Sequence, residues 1–351
     1  MNNLNDLETI TSIDKENMAE IIADLPNQIQ KGWEESQKII IPSYYLKADK
    51  VLILGMGGSG ISGSLVKSIL YPENELPVFI HRDYGIPGFV DSKTLVIAVS
   101  YSGNTEEVLD AFVASYLKGA KLIGIGTGGK LESLAKKYQA PFYKFEYHCQ
   151  PRSAAGLTFA IILGILKKIE ISKDISFNEI GETITVLNQQ IEFLKPESPI
   201  RKNLAKKIAK EIYEHTPIIW AGGILENVAR RWKCQINENA KCCSYFEILP
   251  ELNHNSICGF DFPPSKNFYI LILKSKFYHE RIYKRIAISQ DILDKKQIPN
   301  ILVELENTGG PLSEMLSFIL LGDYLSFYLA ILYGVNPTSI DAIKEFKEKL
   351  K

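Results

Sequence analysis

The segments KVLILG (50–55), TLVIAVS (94–100) and NFYILILK (267–274) are apolar at nearly every position. A strand with one wet face alternates polar and apolar residues. Short runs without alternation are expected where helices cover both faces of a parallel sheet. Between these runs lie stretches of helical periodicity, among them GISGSLVKSIL (60–70), TEEVLDAFVASYLKG (105–119) and YHERIYKRIAISQDILDKK (278–296). The alternation runs from about residue 50 to 170, gives way to a polar, mostly helical stretch, and restarts at TPIIWAGG (216–223). The pattern predicts an α/β fold with two similar domains, each a parallel sheet flanked by helices on both faces, as an old duplication would leave. The expected boundaries are an N-terminal helical segment (1–35), a first domain (36–170), a helical connection (171–210), a second domain (211–335) and a C-terminal helix (336–351).

Bulk properties narrow the function. The 351 residues are 46% hydrophobic with a formal net charge of −1, so no basic field argues for nucleic acid or an anionic membrane. No apolar stretch is expected to reach the roughly 20 residues that span a bilayer. The polar, acidic N-terminus MNNLNDLETITSIDKENMAE differs from a signal or transit peptide, which implies a soluble, cytoplasmic protein. The five cysteines form no CxxC pair, and their odd number argues against a disulfide framework. His254 and Cys258 lie near each other, but the cysteines read as small, partly buried side chains and no metal site is expected.

Two loops carry the chemistry. GMGGSG (55–60) leaves a strand and opens a helix, and SYSGNTEE (100–107) does the same after the next apolar run. The first satisfies GxGxxG, with Asp83 about 20 residues later, as in a dinucleotide site. Asp83 lies beyond His81 and Arg82, however, and the second loop adds hydroxyls that a dinucleotide does not need. A helix start offers free N–H groups and a positive dipole end. Gly57 and Gly58 would let the backbone approach an oxygen, while Ser59, Ser100, Ser102 and Thr105 would donate hydroxyl hydrogen bonds. Together they predict a cradle for a phosphate monoester. A capping box of Asn104 and Glu107 is expected at the second helix start.

GMGGSG together with SYSGNTEE resembles the sugar isomerase (SIS) domain, which binds phosphosugars. ENVARRWKCQINENAK (226–241) and ELNHN (251–255) resemble one branch of it, the bifunctional phosphoglucose/phosphomannose isomerases of archaea and some bacteria. The resemblance implies two SIS domains per chain and a homodimer whose active sites are shared near the subunit interface. It implies a phosphosugar substrate, with glucose 6-phosphate or mannose 6-phosphate converted to fructose 6-phosphate through a cis-enediolate, and neither metal nor redox cofactor. Glu238 would be the base, and His254 would open the ring in the partner subunit's site. Arg152 of QPRSAAG would steady the enediolate, and Thr338 of NPT and Lys347 would meet the sugar, with Lys344 one turn earlier as the alternative lysine. Composition alone would leave Glu238 a solvated glutamate at a helix end, although Asn237, Asn239 and Lys241 suggest a polar pocket around it. Two other classes stay open. A phosphosugar-sensing regulator would keep the loops and dispense with the base, and a nicotinamide-dependent oxidoreductase would use GMGGSG for its cofactor.

Overall fold

The computed structural model describes residues 2–71, 75–170, 175–262 and 267–350. The chain divides into two compact units, Asp24–Ile184 and a second made of Met1–Ala23 with Thr185–Lys351. The N-terminal segment, read above as one helical stretch, is divided between them. Helices α1 (Leu7–Ile13) and α2 (Met18–Ala23) belong to the second unit, and α3 (Leu25–Ser36) opens the first. Each short helix is started by an aspartate: Asp6 accepts from the N–H of Glu8 and Thr9, and Asp14 from Met18 and Ala19.

In the first unit the order is β1 (Lys50–Leu54), α4 (Gly57–Leu70), β2 (Val78–His81), β3 (Thr94–Val99), α5 (Glu106–Leu117), β4 (Lys121–Gly126), α6 (Gly129–Lys137), β5 (Phe142–Lys144) and α7 (Ala155–Lys168). Helix α8 (Phe177–Leu194) then leads across the unit boundary, and residues 171–174, where the helical connection was expected to begin, lie outside the described residues. The strands form one parallel sheet in the order β2-β1-β3-β4-β5. Leu52, Leu54, Val96 and Ala98 pack with Val108, Phe112 and Leu131 of α5 and α6 on one face. Ile53 points to the other face, where a Cβ on Gly63 of α4 would stand 2.7 Å from its Cγ2. Both faces are therefore covered, which is why the strands lack alternation. Helices α3 and α7 approach so closely that a Cβ on Gly32 would stand 2.5 Å from the Leu157 carbonyl oxygen.

The second unit continues with α9 (Leu204–Glu211), β6 (Thr216–Gly222), α10 (Glu226–Ala240), β7 (Tyr245–Leu249), β8 (Phe268–Lys274), α11 (Glu280–Lys295), β9 (Asn300–Glu304), α12 (Pro311–Tyr333) and α13 (Asp341–Leu350). Its parallel sheet runs β7-β6-β8-β9, repeating the order of the first four strands of the other sheet. Helix α12 corrects one expectation: it is 23 residues long and contains an 18-residue stretch with a mean hydropathy of 1.8, long and apolar enough to cross a membrane. Ser313, Glu314, Ser317, Asp323 and Ser326 break the apolar run in the sequence without making a wet face. The apolar window of α12 is buried throughout within the unit, packed against α2, α9 and α10.

Candidate active site

In an open parallel sheet ligands bind beyond the carboxyl ends of the strands, where the strand order reverses. In the first unit β1 continues to β2 on one side and β3 to β4 on the other, so the loops after β1 and β3 flank that reversal. Gly57 turns the chain from β1 into α4 with φ +48°, a left-handed conformation that costs a non-glycine residue energy. Neither α4 nor α5 has a side chain capping its first turn, so both helix starts face the loops with N–H groups available to a ligand. Ser59 is buried in the first turn of α4. Ser100 is buried as well, and its hydroxyl shares a 2.9 Å hydrogen bond with that of Thr105. Ser102 is exposed, and its Oγ accepts from the N–H of Asn104 at 3.2 Å.

The expected capping box is absent. Helix α5 begins one residue later than the box requires, with Thr105 at the cap position. Asn104 turns away instead: its Oδ1 accepts from the Lys130 N–H at 3.1 Å and its Nδ2 donates to the Ser102 carbonyl at 3.0 Å, tying the loop to the start of α6. Asp83, the acid a dinucleotide site would need, is exposed and accepts from the N–H of Tyr84 beside it at 2.8 Å.

Arg152 comes to the same edge. It lies in a 3-10 turn (Pro151–Ala154) ahead of α7 and is buried. A Cβ on Gly58 would stand 2.8 Å from the Arg152 Cα and 2.9 Å from the Pro151 carbonyl oxygen. Gly58 is thus required by the approach of the Arg152 strap, a reason the sequence did not reveal. The strap is held by residues not singled out above. Tyr101 Oη donates to the Tyr147 carbonyl and accepts from the Cys149 N–H at 3.3 Å. Tyr147 Oη donates to Asp24 at 2.5 Å and accepts from Gln28 at 2.9 Å. Burial pushes the Cys149 thiol up to about 12, so it is a neutral filler rather than a nucleophile.

In the second unit α10 is fixed to α12 along one side. Arg231 makes a buried fork to Asp323 (Nε to Oδ1 3.2 Å, Nη2 to Oδ2 2.9 Å), Trp232 Nε1 donates to the Phe318 carbonyl at 2.7 Å, and Asn239 Nδ2 donates to Ser326 at 3.0 Å. Glu238 follows on the half-buried side of this anchored helix. The polar neighbours also have structural partners. Asn239 bonds to α12, and Asn237 Nδ2 donates to the Cys242 carbonyl at 2.7 Å. Lys241 ends the helix in a left-handed conformation and donates to the carbonyls of Asn239 and Asn336. That last contact brings the Thr338 loop to the same end of the sheet as Glu238. Thr338 is buried, its N–H donating to Asn336 Oδ1 at 2.8 Å.

His254 is elsewhere. Strands β6 and β7 are parallel, so α10 starts at the carboxyl edge of the sheet and carries Glu238 to the amino edge. Strand β7 returns to the carboxyl edge, where the exposed His254 lies in a 3-10 turn (Glu251–His254) held by Asn253 and Asn255. Five strand residues separate the two edges, roughly 17 Å at about 3.3 Å per residue. Within one chain Glu238 and His254 therefore sit at opposite edges of one sheet. Lys347 and Lys344 lie on α13, none of whose residues is buried, and Lys344 pairs with Asp341 at 3.8 Å.

The second unit has its own reversal, between β6 and β8, and a side chain fills it. Tyr278 is buried. Its Oη accepts from the Gly222 N–H at 3.0 Å and donates to the Leu273 carbonyl at 3.0 Å, bridging the ends of the two strands.

Comparison with known proteins agrees with this architecture. Residues 44–162 match the SIS domain family, and residues 201–350 match the bacterial phospho-glucose isomerase C-terminal SIS domain. The bifunctional phosphoglucose/phosphomannose isomerase of Caldicellulosiruptor bescii is 40% identical, covering 95% of this chain and 98% of that protein. The protein of the same name from Aquifex aeolicus is 33% identical over 96% of this chain and 99% of its own. Among solved structures, the C-terminal domain of glucosamine-fructose-6-phosphate aminotransferase from Francisella tularensis superposes with a TM-score of 0.68 at 16% identity, covering 92% of this chain and 98% of that one, which speaks for the fold. With two parallel sheets of matching order, a hydroxyl-rich edge on the first, and relatives at this identity over their full length, the chain belongs to the bifunctional phosphoglucose/phosphomannose isomerase family.

Proposed function

We propose that the chain is an aldose–ketose isomerase that interconverts glucose 6-phosphate or mannose 6-phosphate with fructose 6-phosphate. The observation that carries the reading is the first-unit edge, where two uncapped helix starts and the hydroxyls of Ser59, Ser100, Ser102 and Thr105 suit a phosphate, on a chain of this family. Gly57 supplies the turn and Gly58 admits the backbone that carries Arg152.

The chemistry asks for a proton moved between C1 and C2 and for charge placed against the enediolate oxygen. Glu238 takes the proton from one carbon and returns it to the other, on a helix whose rotation is fixed by Arg231, Trp232 and Asn239. Arg152 stabilises the negative oxygen. Its guanidinium keeps its charge throughout, since arginine does not deprotonate in proteins. The cis-enediolate has lost the configuration at C2, so the two aldose phosphates share it, and this is why one site can serve both. Thr338 meets the sugar beside Glu238, and Lys347 does so once α13 is covered.

His254 opens the ring in the site of the partner subunit of a homodimer. The opposite-edge placement of Glu238 and His254 supports this division, because one small substrate does not span a sheet. Hybrids of Glu238→Gln and His254→Ala chains should regain up to about half of normal activity, one intact site of two under twofold symmetry. A confirmed hybrid without activity would return both residues to one chain's site.

The deciding experiment is an assay from fructose 6-phosphate that resolves both aldose products. Glucose 6-phosphate and mannose 6-phosphate should both form without nicotinamide cofactor. Tight binding without turnover would instead make the protein a phosphosugar-sensing regulator.

A further inference from the structure

We propose that Tyr101 is a positioning residue: its hydroxyl couples the phosphate-holding loop to the strap that presents Arg152. The inference rests on the isomerase reading above, in which Arg152 stabilises the enediolate. Tyr101 stands between Ser100 and Ser102, the hydroxyls assigned to the phosphate. Its main chain is pinned from behind, the carbonyl accepting from the Thr127 N–H at 2.9 Å and from Thr127 Oγ1 at 2.7 Å. Its side chain leaves the loop and reaches the strap, the ring edge-on to Phe145 with centroids 5.7 Å apart. There the phenol engages both kinds of backbone group at once, donating to the Tyr147 carbonyl and accepting from the Cys149 N–H.

The strap needs such a holder. From β5 to the turn before α7 it is not strand, and the turn at Pro151–Ala154 has no capping side chain. Past Cys149 the chain runs directly into Pro151 and Arg152, whose backbone lies against Gly58. Tyr147 ties the strap to Asp24 and Gln28, and Tyr101 is the side chain that ties it to the phosphate loop ahead of the Arg152 segment. Burial raises its phenol pKa, so it remains the neutral group that can donate and accept together. A loop drawn tight by a bound phosphate would hold the strap through these two bonds, linking recognition at one end of the substrate to charge placement at the other.

Tyr101→Phe keeps the ring and removes the hydroxyl. If Tyr101 acts through Arg152, kcat should fall about tenfold, the worth of one to two ordinary hydrogen bonds, while KM for fructose 6-phosphate changes by less than about twofold. A role in packing alone would move the unfolding midpoint and leave that split unseen. A double-mutant cycle completes the test. In an Arg152→Lys background, Tyr101→Phe should cost less than about twofold, because the group it positions is already gone. Where turnover is low, exchange of the substrate C–H with deuterated solvent, read by NMR, gives the rate. Equal losses in both backgrounds, or a raised KM with unchanged kcat, would overturn the proposal. If Arg152→Lys is crippled and Tyr101→Phe is normal, the proposal alone falls. If Arg152→Lys is itself normal, the role given to Arg152 falls and Tyr101 has nothing to act through.

Discussion

Gly57 and Gly223 stand at the same point of the two sheets, each turning the chain off the first strand with φ +48°. Beyond that shared turn the two edges part. The first continues as Gly58-Ser59 straight into α4, and its companion loop carries Ser100, Ser102 and Thr105. The second continues as Ile224-Leu225, both buried in a 3-10 turn ahead of α10, and its companion loop carries Tyr278. A Cβ on Gly223 would touch the Tyr278 ring at 3.5 Å. Nearby, the buried Glu314 turns Oε2 to the Lys276 N–H (3.4 Å) and to Thr308 Oγ1 (3.3 Å). The first edge is small, hydroxylated and open to an anion, whereas the second is bulky, occupied by a phenol and backed by a carboxylate. The same fold thus recurs without the same site, because the site resides in a few loop residues at the strand reversal. On the proposed reading the second unit, with no phosphate to bind there, offers its other edge, with Glu238 and Thr338, to the chemistry.

That division of labour is broken most sharply at the base. Glu238→Gln preserves shape and removes the proton acceptor, so kcat should fall by roughly 10²-fold or more with substrate affinity largely kept. The check is steady-state turnover alongside titration with fructose 6-phosphate. A variant that turns over normally would mean the second unit does not supply the base.

The first edge is tested by its most exposed hydroxyl. Ser102→Ala deletes one donor to the phosphate, and a charge-assisted hydrogen bond of this kind is worth about 1.5–3 kcal/mol of binding. Among the described residues the Oγ only accepts from the Asn104 N–H, so thermal unfolding without ligand should scarcely move. Calorimetric titration with the sugar phosphate and with the unphosphorylated sugar separates the outcomes. Equal affinity for both in the unaltered protein would remove the phosphate from this edge.

The contrast between the two edges also marks where sequence reading stops. The strands were legible because two covered faces demand unbroken apolar runs such as TLVIAV, every residue of which is buried. That the hydroxyls of SYSGNTEE gather at a helix start was legible too, because the apolar run before them and the helical periodicity after them fix that junction. Asn104 was misread because its partner, the Lys130 N–H, lies in the first turn of α6, and capping rules count only along the chain. That Gly58 also lies against the backbone of Arg152 was out of reach, because the contact is made across 94 positions of sequence. Tyr101 and Tyr278 carry no signal in the sequence, and only the fold shows which carbonyls and N–H groups their hydroxyls meet. The separation of Glu238 from His254 was within reach, since a helix and a parallel strand between them must place them at opposite edges.

The smallest effect is expected at the filled reversal, and it sharpens the comparison most directly. Tyr278→Phe keeps the ring that occupies the crevice and removes the oxygen that bridges β6 and β8. The Gly222 N–H then loses its buried acceptor and the Leu273 carbonyl loses a donor. Stability should drop by about 1–3 kcal/mol, the usual cost of stranding a buried polar group, and urea unfolding would read this as a lower midpoint at unchanged slope. The kinetic constants should stay within about twofold, because on this account no substrate atom enters the second reversal. The unaltered protein should bind one fructose 6-phosphate per chain in a calorimetric titration. A second equivalent of comparable affinity, or a Tyr278→Phe variant with weakened phosphosugar binding and undiminished stability, would show that the second edge holds ligand after all. In that case the difference between Gly58-Ser59 and Ile224-Leu225 would concern which ligand is bound rather than whether one is.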